Sequence, residues 1–198
     1  MNIFRFALVV GMALLAGNAG AANFAAGKSK AQVCIGCHGE DGNAQVPIFP
    51  KLAGQHVSYL AKQLQEFRSR QRLEQTMNAM AESLGDEDIN DISEYFASFK
   101  VKRETVAASP LGEKVYRTGN AQTRVPACIG CHGPNGSGNP LAVYPHLAGQ
   151  YSAFLVKALN DYKSGERNND KNRIMRDIAD RLSEEEIAAV ADYISGLQ

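Results

Sequence analysis

The chain has no tryptophan, four histidines and four cysteines in 198 residues. It also has no charge surplus, since 21 basic residues balance 21 acidic ones. That balance excludes the strong basic excess of a nucleic-acid binder. It leaves a locally charged face open, because net charge says nothing of distribution. After the first twenty-odd residues no stretch is apolar enough to span a bilayer, which takes about 20 mostly apolar residues. No segment shows the alternation of a convincing strand. No cysteine is left for a structural disulfide. All four lie in two short motifs, Cys34-Ile35-Gly36-Cys37-His38 and Cys128-Ile129-Gly130-Cys131-His132.

The amino terminus reads as an address. Arg5 precedes an apolar stretch over 6–16, small residues follow, and Ala19-Gly20-Ala21 fits an A-x-A cleavage site. This predicts a secretory signal peptide over 1–21 and an exported, periplasmic mature chain. The apolar core is too short to serve comfortably as a membrane anchor.

C-x-x-C-H is the spacing by which c-type haem is attached: the two thiols form thioethers with the haem vinyl groups, and the following His lies beneath the iron. Zinc ligation or dithiol redox chemistry fits less well. The pairs are over ninety residues apart, and no βαβ pattern accompanies them. The motifs sit in a longer repeat. Phe49-Pro50-Lys51-Leu52-Ala53-Gly54-Gln55 returns as Tyr144-Pro145-His146-Leu147-Ala148-Gly149-Gln150. Leu84, Ile89 and Tyr95 return as Leu182, Ile187 and Tyr193. Order is kept with small insertions, which predicts one duplicated domain: 22–103, a linker over 104–108, and 109–198.

Both units read as all-α. Val57, Leu60, Ala61, Leu64 and Phe67 recur at helical spacing, as do Leu155, Ala158, Leu159 and Tyr162. Ile89, Ile92, Phe96 and Phe99 mark a final helix in the first unit, and Ile187, Val190, Ala191 and Ile194 one in the second. Ser183 with Glu186 three residues on forms a capping box. Gly112, one turn before Tyr116, is expected to let Tyr193 of the last helix pack close. Gly27 and Ala31 are expected to do the same for Tyr95. Units of about 80 residues are marginal alone, so folding is expected to depend on haem attachment.

His38 and His132 are the proximal candidates. Opposite them, Met77, Met80 and Met175 are the methionines outside the leader. Met77 and Met175 each stand seven residues before an equivalent leucine, Leu84 and Leu182, whereas Met80 matches Ile178. The first two are therefore the equivalent pair, placed in loops before the final helix, with Met80 as core filler. The segment 68–76 is short, which keeps Met80 a rival in the first unit. His56 and His146 could offer bis-His ligation but do not correspond to each other, and hydrogen-bonding roles suit them better. The carbonyls of Pro50 and Pro145 are placed to accept the proximal ring N–H. Arg167, Arg173, Arg176 and Arg181 could neutralise haem propionates or form a docking face; a solvated surface is the plainer expectation.

The paired haem motifs, the F/Y-P-x-L-A-G-Q segments and the methionines together resemble the dihaem cytochrome c4 family over essentially the whole mature chain. The resemblance implies two class I cytochrome c folds packed face to face, with two covalently bound haem c groups near the boundary. It implies His–Met ligation of both irons, carried here by Cys34, Cys37, His38 and Met77, then Cys128, Cys131, His132 and Met175. Methionine opposite histidine favours Fe(II) and raises the reduction potential, and a saturated iron suits an electron carrier rather than a catalyst. Implied partners are redox proteins of a respiratory chain, such as a membrane oxidase or a quinol-oxidising complex, and peripheral membrane association is compatible with this. A dihaem subunit of a larger dehydrogenase is the alternative. So is a dihaem peroxidase, which would need an open iron position.

Overall fold

The computed structural model describes residues 24–197, so the leader expectation lies outside the described residues. The first unit contains α1 (Phe24–Lys30), α2 (Ile35–His38), α3 (Val57–Arg68), α4 (Gln75–Ala81) and α5 (Asp86–Ala97). The second contains α6 (Pro110–Thr118), α7 (Ile129–His132), α8 (Ser152–Ser164), α9 (Ile174–Asp180) and α10 (Glu184–Gly196). Among the described residues extended pairing is limited to two isolated bridges, Asn120 with Val125 and Asn139 with Tyr144. The fold is two tandem helical units of one design, as the repeat predicts.

In each unit the last helix is the hub. α5 packs on α1 and α3, and α10 packs on α6 and α8. Their starts are built alike. Asp88 accepts from the Gly85 N–H at 2.9 Å, with three acidic residues in the first turn of α5 to complement the helix dipole. Ser183 accepts from Glu186 N–H at 3.1 Å while the Glu186 carboxylate accepts from Ser183 N–H at 2.9 Å, the reciprocal box read from the sequence. Asn120 adds a third bond to Glu186 at 2.7 Å.

Burial pushes the Glu186 carboxyl pKa up, but the Ser183 and Asn120 hydrogen bonds outweigh it and hold the group below its ordinary value. A lowered folded-state pKa contributes stability above the unfolded value and loses it as pH falls through the folded one. Glu186→Ala is therefore expected to cost about 1 kcal/mol or somewhat more. Thermal unfolding should show the full deficit at neutral pH and a shrinking one in acid.

The hubs approach their partners at glycine. A Cβ on Gly27 would lie 2.3 Å from the Asp91 carbonyl oxygen and 2.9 Å from Tyr95 Cβ, so the close approach of Tyr95 is as expected. A Cβ on Gly112 would lie 1.9 Å from the Ala189 carbonyl oxygen. Here the expectation needs correction: Gly112 admits the α10 backbone, not the Tyr193 ring. The reason is a swap between repeats. Ala31 leaves room for Tyr95, which is 1% exposed, whereas Tyr116 at the equivalent place fills that room itself at 0%. Tyr193 is displaced outward and only half-buried, 5.5 Å from the Tyr116 ring. Both buried tyrosines then do the same job. The Tyr95 hydroxyl donates to Glu40 O and the Tyr116 hydroxyl to Gly133 O, each at 2.7 Å, pinning the chain just after the Cys-His motif.

The units meet through the repeated Pro-x-Leu-Ala-Gly-Gln segments. The Gln55 side chain accepts from His146 N–H at 2.8 Å and donates to His146 O at 2.9 Å. Gln150 accepts from Lys51 N–H at 2.9 Å and donates to Lys51 O at 3.0 Å. Each amide thus completes the backbone pairing of the equivalent residue in the other unit. His56 Nε2 lies 2.7 Å from Ser137 O, and its counterpart Tyr151 donates its hydroxyl to Ala44 O at 2.5 Å.

Candidate functional site

Each Cys-x-x-Cys-His motif forms a single helical turn, α2 or α7, with the first Cys at its N-cap and the His at its end. His38 and His132 are buried, at 6% and 8% exposure. His38 Nδ1 lies 3.0 Å from Pro50 O, and His132 Nδ1 lies 3.2 Å from Pro145 O. A carbonyl only accepts, so Nδ1 carries the hydrogen and Nε2 keeps its lone pair. Burial lowers both imidazole pKa values and the carbonyls offset this only in part, which keeps the rings neutral. The aromatic residue before each proline flanks the ring, Phe49 at 6.3 Å from His38 and Tyr144 at 6.2 Å from His132.

None of the four cysteines pairs in a disulfide: Cys34 and Cys128 are half-buried, Cys37 and Cys131 exposed. Burial pushes the Cys34 thiol pKa up, and that of Cys128 to about 11. Two thiols not tied to each other, next to a neutral ring with a free Nε2, are the donor set that covalent haem requires. The residues present fit the group in both units.

The methionines sit differently from the expectation. Met77 and Met175 lie on the short helices α4 and α9, not in loops. Local capping explains why. Glu74 accepts from Met77 N–H at 2.7 Å, and the Asn78 amide donates to Phe67 O and Arg72 O at 2.8 and 2.7 Å. α9 follows two consecutive left-handed residues, Asn172 (φ 55°) and Arg173 (φ 60°). Asp170 then binds the Arg176 N–H at 3.0 Å and the Arg176 guanidinium at 2.6 Å. Non-glycine residues in that region cost about 1–3 kcal/mol each, so the turn that delivers Met175 is held by its surroundings. Met77 and Met175 are half-buried. Met80 is 37% exposed, which corrects its reading as core filler. Its counterpart Ile178 does pack on the second core.

His146 Nδ1 lies 3.2 Å from Gly54 O. With His56 on Ser137, both extra histidines serve the boundary between the units, in the hydrogen-bonding roles expected of them.

The arginine stretch needs a larger correction. Arg167 is 6% exposed, not solvated. It donates to the Tyr59 hydroxyl at 2.8 Å and Gln63 Oε1 at 3.3 Å in the first unit, while its guanidinium covers the Tyr162 ring at 4.5 Å. Arg72 mirrors it, donating to Gln63 at 2.6 Å and covering the Phe67 ring at 4.5 Å. Burial and the like charge of Arg167 push Arg72 down to about 10. Burial also opposes the Arg167 charge, but Tyr59 and Tyr162 outweigh it and hold its pKa up. Asn169 closes the cluster on Gln63 and Glu66 at 3.0 and 2.6 Å. Arg173, by contrast, is exposed and faces Asp177 at 3.5 Å. Sequence reasoning missed Gln55, Gln150 and Arg72. The two glutamines end both copies of the repeated segment, and Arg72 stands five residues after Phe67 as Arg167 stands five after Tyr162. That register was the available signal.

Duplicated helical units, each presenting a C-x-x-C-H turn with its His held by a proline carbonyl, define a tandem c-type cytochrome. The cytochrome c family profile matches residues 24–100 and again 111–198. Cytochrome c4 of Azotobacter vinelandii is 45% identical over 206 aligned positions, covering 96% of this chain and 93% of its own. The crystal structure of reduced recombinant cytochrome c4 from Pseudomonas stutzeri matches with a TM-score of 0.86 and 42% identity, over 90% of this chain and 100% of that one. A thiosulfate dehydrogenase electron acceptor of Stutzerimonas stutzeri (strain A1501) is 35% identical over 84% of this chain and 80% of its own. The chain belongs to the cytochrome c4 family, dihaem electron-transfer proteins with one haem c in each unit.

Proposed function

We propose that the protein is an exported, periplasmic electron carrier of a respiratory chain, and that its two units divide at residues 104–108. Cys34 and Cys37 hold one haem and Cys128 and Cys131 the other, with His38 and Met77, then His132 and Met175, as axial ligands. The observation that carries this reading is the repeated His–Pro geometry. Both rings are neutral, buried, and aimed by a carbonyl that leaves Nε2 free. The bound haem supplies a one-electron Fe(III)/Fe(II) couple. The chain's own residues fix the ring planes, exclude water from the proximal side and hold the two units in one orientation. A Met opposite each His would leave no open iron position, which favours a carrier over a peroxidase. Acceptors of the kind expected are a membrane oxidase, with a quinol-oxidising complex as donor.

Met77→Ala and Met175→Ala are each expected to halve the thioether-to-iron absorption of the oxidised protein and to lower one of two midpoint potentials, while Met80→Ala leaves both unchanged. The inverse result at Met80 would move the first distal ligand there.

A second reading, as acceptor subunit of a dehydrogenase, is favoured by the relative named as a thiosulfate dehydrogenase electron acceptor. Reduction by such an enzyme faster than by a quinol-oxidising complex would select it.

A further inference from the structure

The glutamines that join the units also touch the two proximal histidines, at one remove. Pro50 O accepts from His38 Nδ1–H, and the Lys51 N–H of that same peptide unit donates to Gln150 Oε1 at 2.9 Å. The chain His38 ring, Pro50–Lys51 peptide, Gln150 amide is unbroken and crosses from one unit to the other. Its mirror image runs from the His132 ring through the Pro145–His146 peptide to Gln55 Oε1 at 2.8 Å. Peptide resonance couples the two ends of the unit. An acceptor on the N–H places more negative charge on the carbonyl oxygen, and linked hydrogen bonds strengthen one another in a low dielectric. Gln55 and Gln150 are each 8% exposed, so water does not take over this role. A more negative carbonyl draws harder on the Nδ1 proton and makes Nε2 a stronger donor.

We propose that Gln150 and Gln55 are positioning residues that set, across the domain boundary, the donor strength of His38 and His132 respectively, so that each unit tunes the redox centre of the other. This rests on His38 and His132 being axial ligands. A stronger imidazole donor stabilises Fe(III) and lowers the potential. Removing the acceptor therefore raises it. Mere loosening of the boundary would act oppositely, because admitted water favours the more highly charged iron.

The test is an NMR-monitored redox titration of the dihaem protein, in which each haem's methyl resonances report its own midpoint. Gln150→Met should raise the N-terminal midpoint and shift the His38 Nδ1 proton of the reduced protein upfield, with the C-terminal centre moving less. Gln55→Met should do the reverse. A lowered midpoint, an equal shift of both centres, or a shift confined to the variant's own unit would overturn the proposal. If Gln150→Met does not fold, Gln150→Glu serves. A carboxylate accepts more strongly, so the His38 Nδ1 proton should move downfield, and an unmoved proton overturns the proposal. Failure of the ligation itself reads out separately: in the reduced wild type the His38 and His132 ring protons would then lack a porphyrin ring-current shift.

Discussion

Replacing Cys34 and Cys37 together with alanine is expected to leave one haem per chain and to cost the N-terminal unit most of its helix. The same change at Cys128 and Cys131 should be milder. The asymmetry follows from the protein cores. In the first unit the clustered, buried apolar side chains are Ala31, Leu60, Ile92, Tyr95 and Phe96, with Phe67 and Ile89 buried apart from them. The second cluster has eleven, including Val115, Tyr116, Leu155, Leu182, Ile187, Val190 and Ile194. Burying one such aliphatic or aromatic side chain contributes about 1.5–3 kcal/mol, and a unit of this size is marginal even with a full core. The unit with the smaller side-chain core relies more on its covalent group. Circular dichroism, with haem stoichiometry from absorption, measures this. Equal helix loss in the two double variants would show that side-chain burial does not set the dependence.

Gly112→Ala is expected to be among the most damaging single methyls in the described residues. Its Cβ would stand 1.9 Å from the Ala189 carbonyl oxygen, and 2.6 Å from the carbonyl carbon. Backbone cannot rotate away as a side-chain tip can. α6 must therefore lift off α10, carrying Val115 and Tyr116 out of the second core. Overpacking alone costs about 1–3 kcal/mol. Loss of the buried aromatic adds to it, so a deficit of about 4 kcal/mol or more is expected, against near neutrality for Lys114→Ala, an exposed neighbour on the same helix. Gly27→Ala, at 2.3 Å from the Asp91 oxygen, should follow with a smaller loss. Denaturant unfolding of the holoprotein orders the three; a Gly112→Ala midpoint equal to that of Lys114→Ala would mean the helices can separate freely.

Much of this arrangement was legible in the sequence, because a repeat supplies its own control. The hub helices were readable from Ile89 and Ile187 onward, and the Ser183–Glu186 box fixed one start. The proline carbonyls were readable because a proximal His needs an acceptor and Pro50 and Pro145 recur at the right place. What escaped was everything that depends on two segments meeting. The helical setting of Met77 and Met175 is made by caps from Glu74, Asn78 and Asp170, polar residues whose partners are backbone groups near in space. The Tyr95–Tyr116 exchange hid because the ring moved from the last helix to the first, so position-by-position matching paired Tyr95 with the wrong residue. Burial of Arg167 was invisible for a like reason. Its partners Tyr59 and Gln63 lie more than a hundred residues away, and a charge in a run of charges reads as surface until the opposing unit covers it.

The glutamine contact occurs twice about an approximate two-fold axis, which makes it isologous. One domain carrying one such segment already holds everything needed to pair with a copy of itself. Joining the copies in a single chain turns that pairing into an event at a fixed effective concentration, independent of how dilute the protein is. It also removes the requirement that both partners be identical. Lys51 and His146 can then reach equivalent carbonyls, Gly149 O and Gly54 O, with different chemistry, and His56 can stand where the other unit has Tyr151, so a symmetric handshake can acquire a direction.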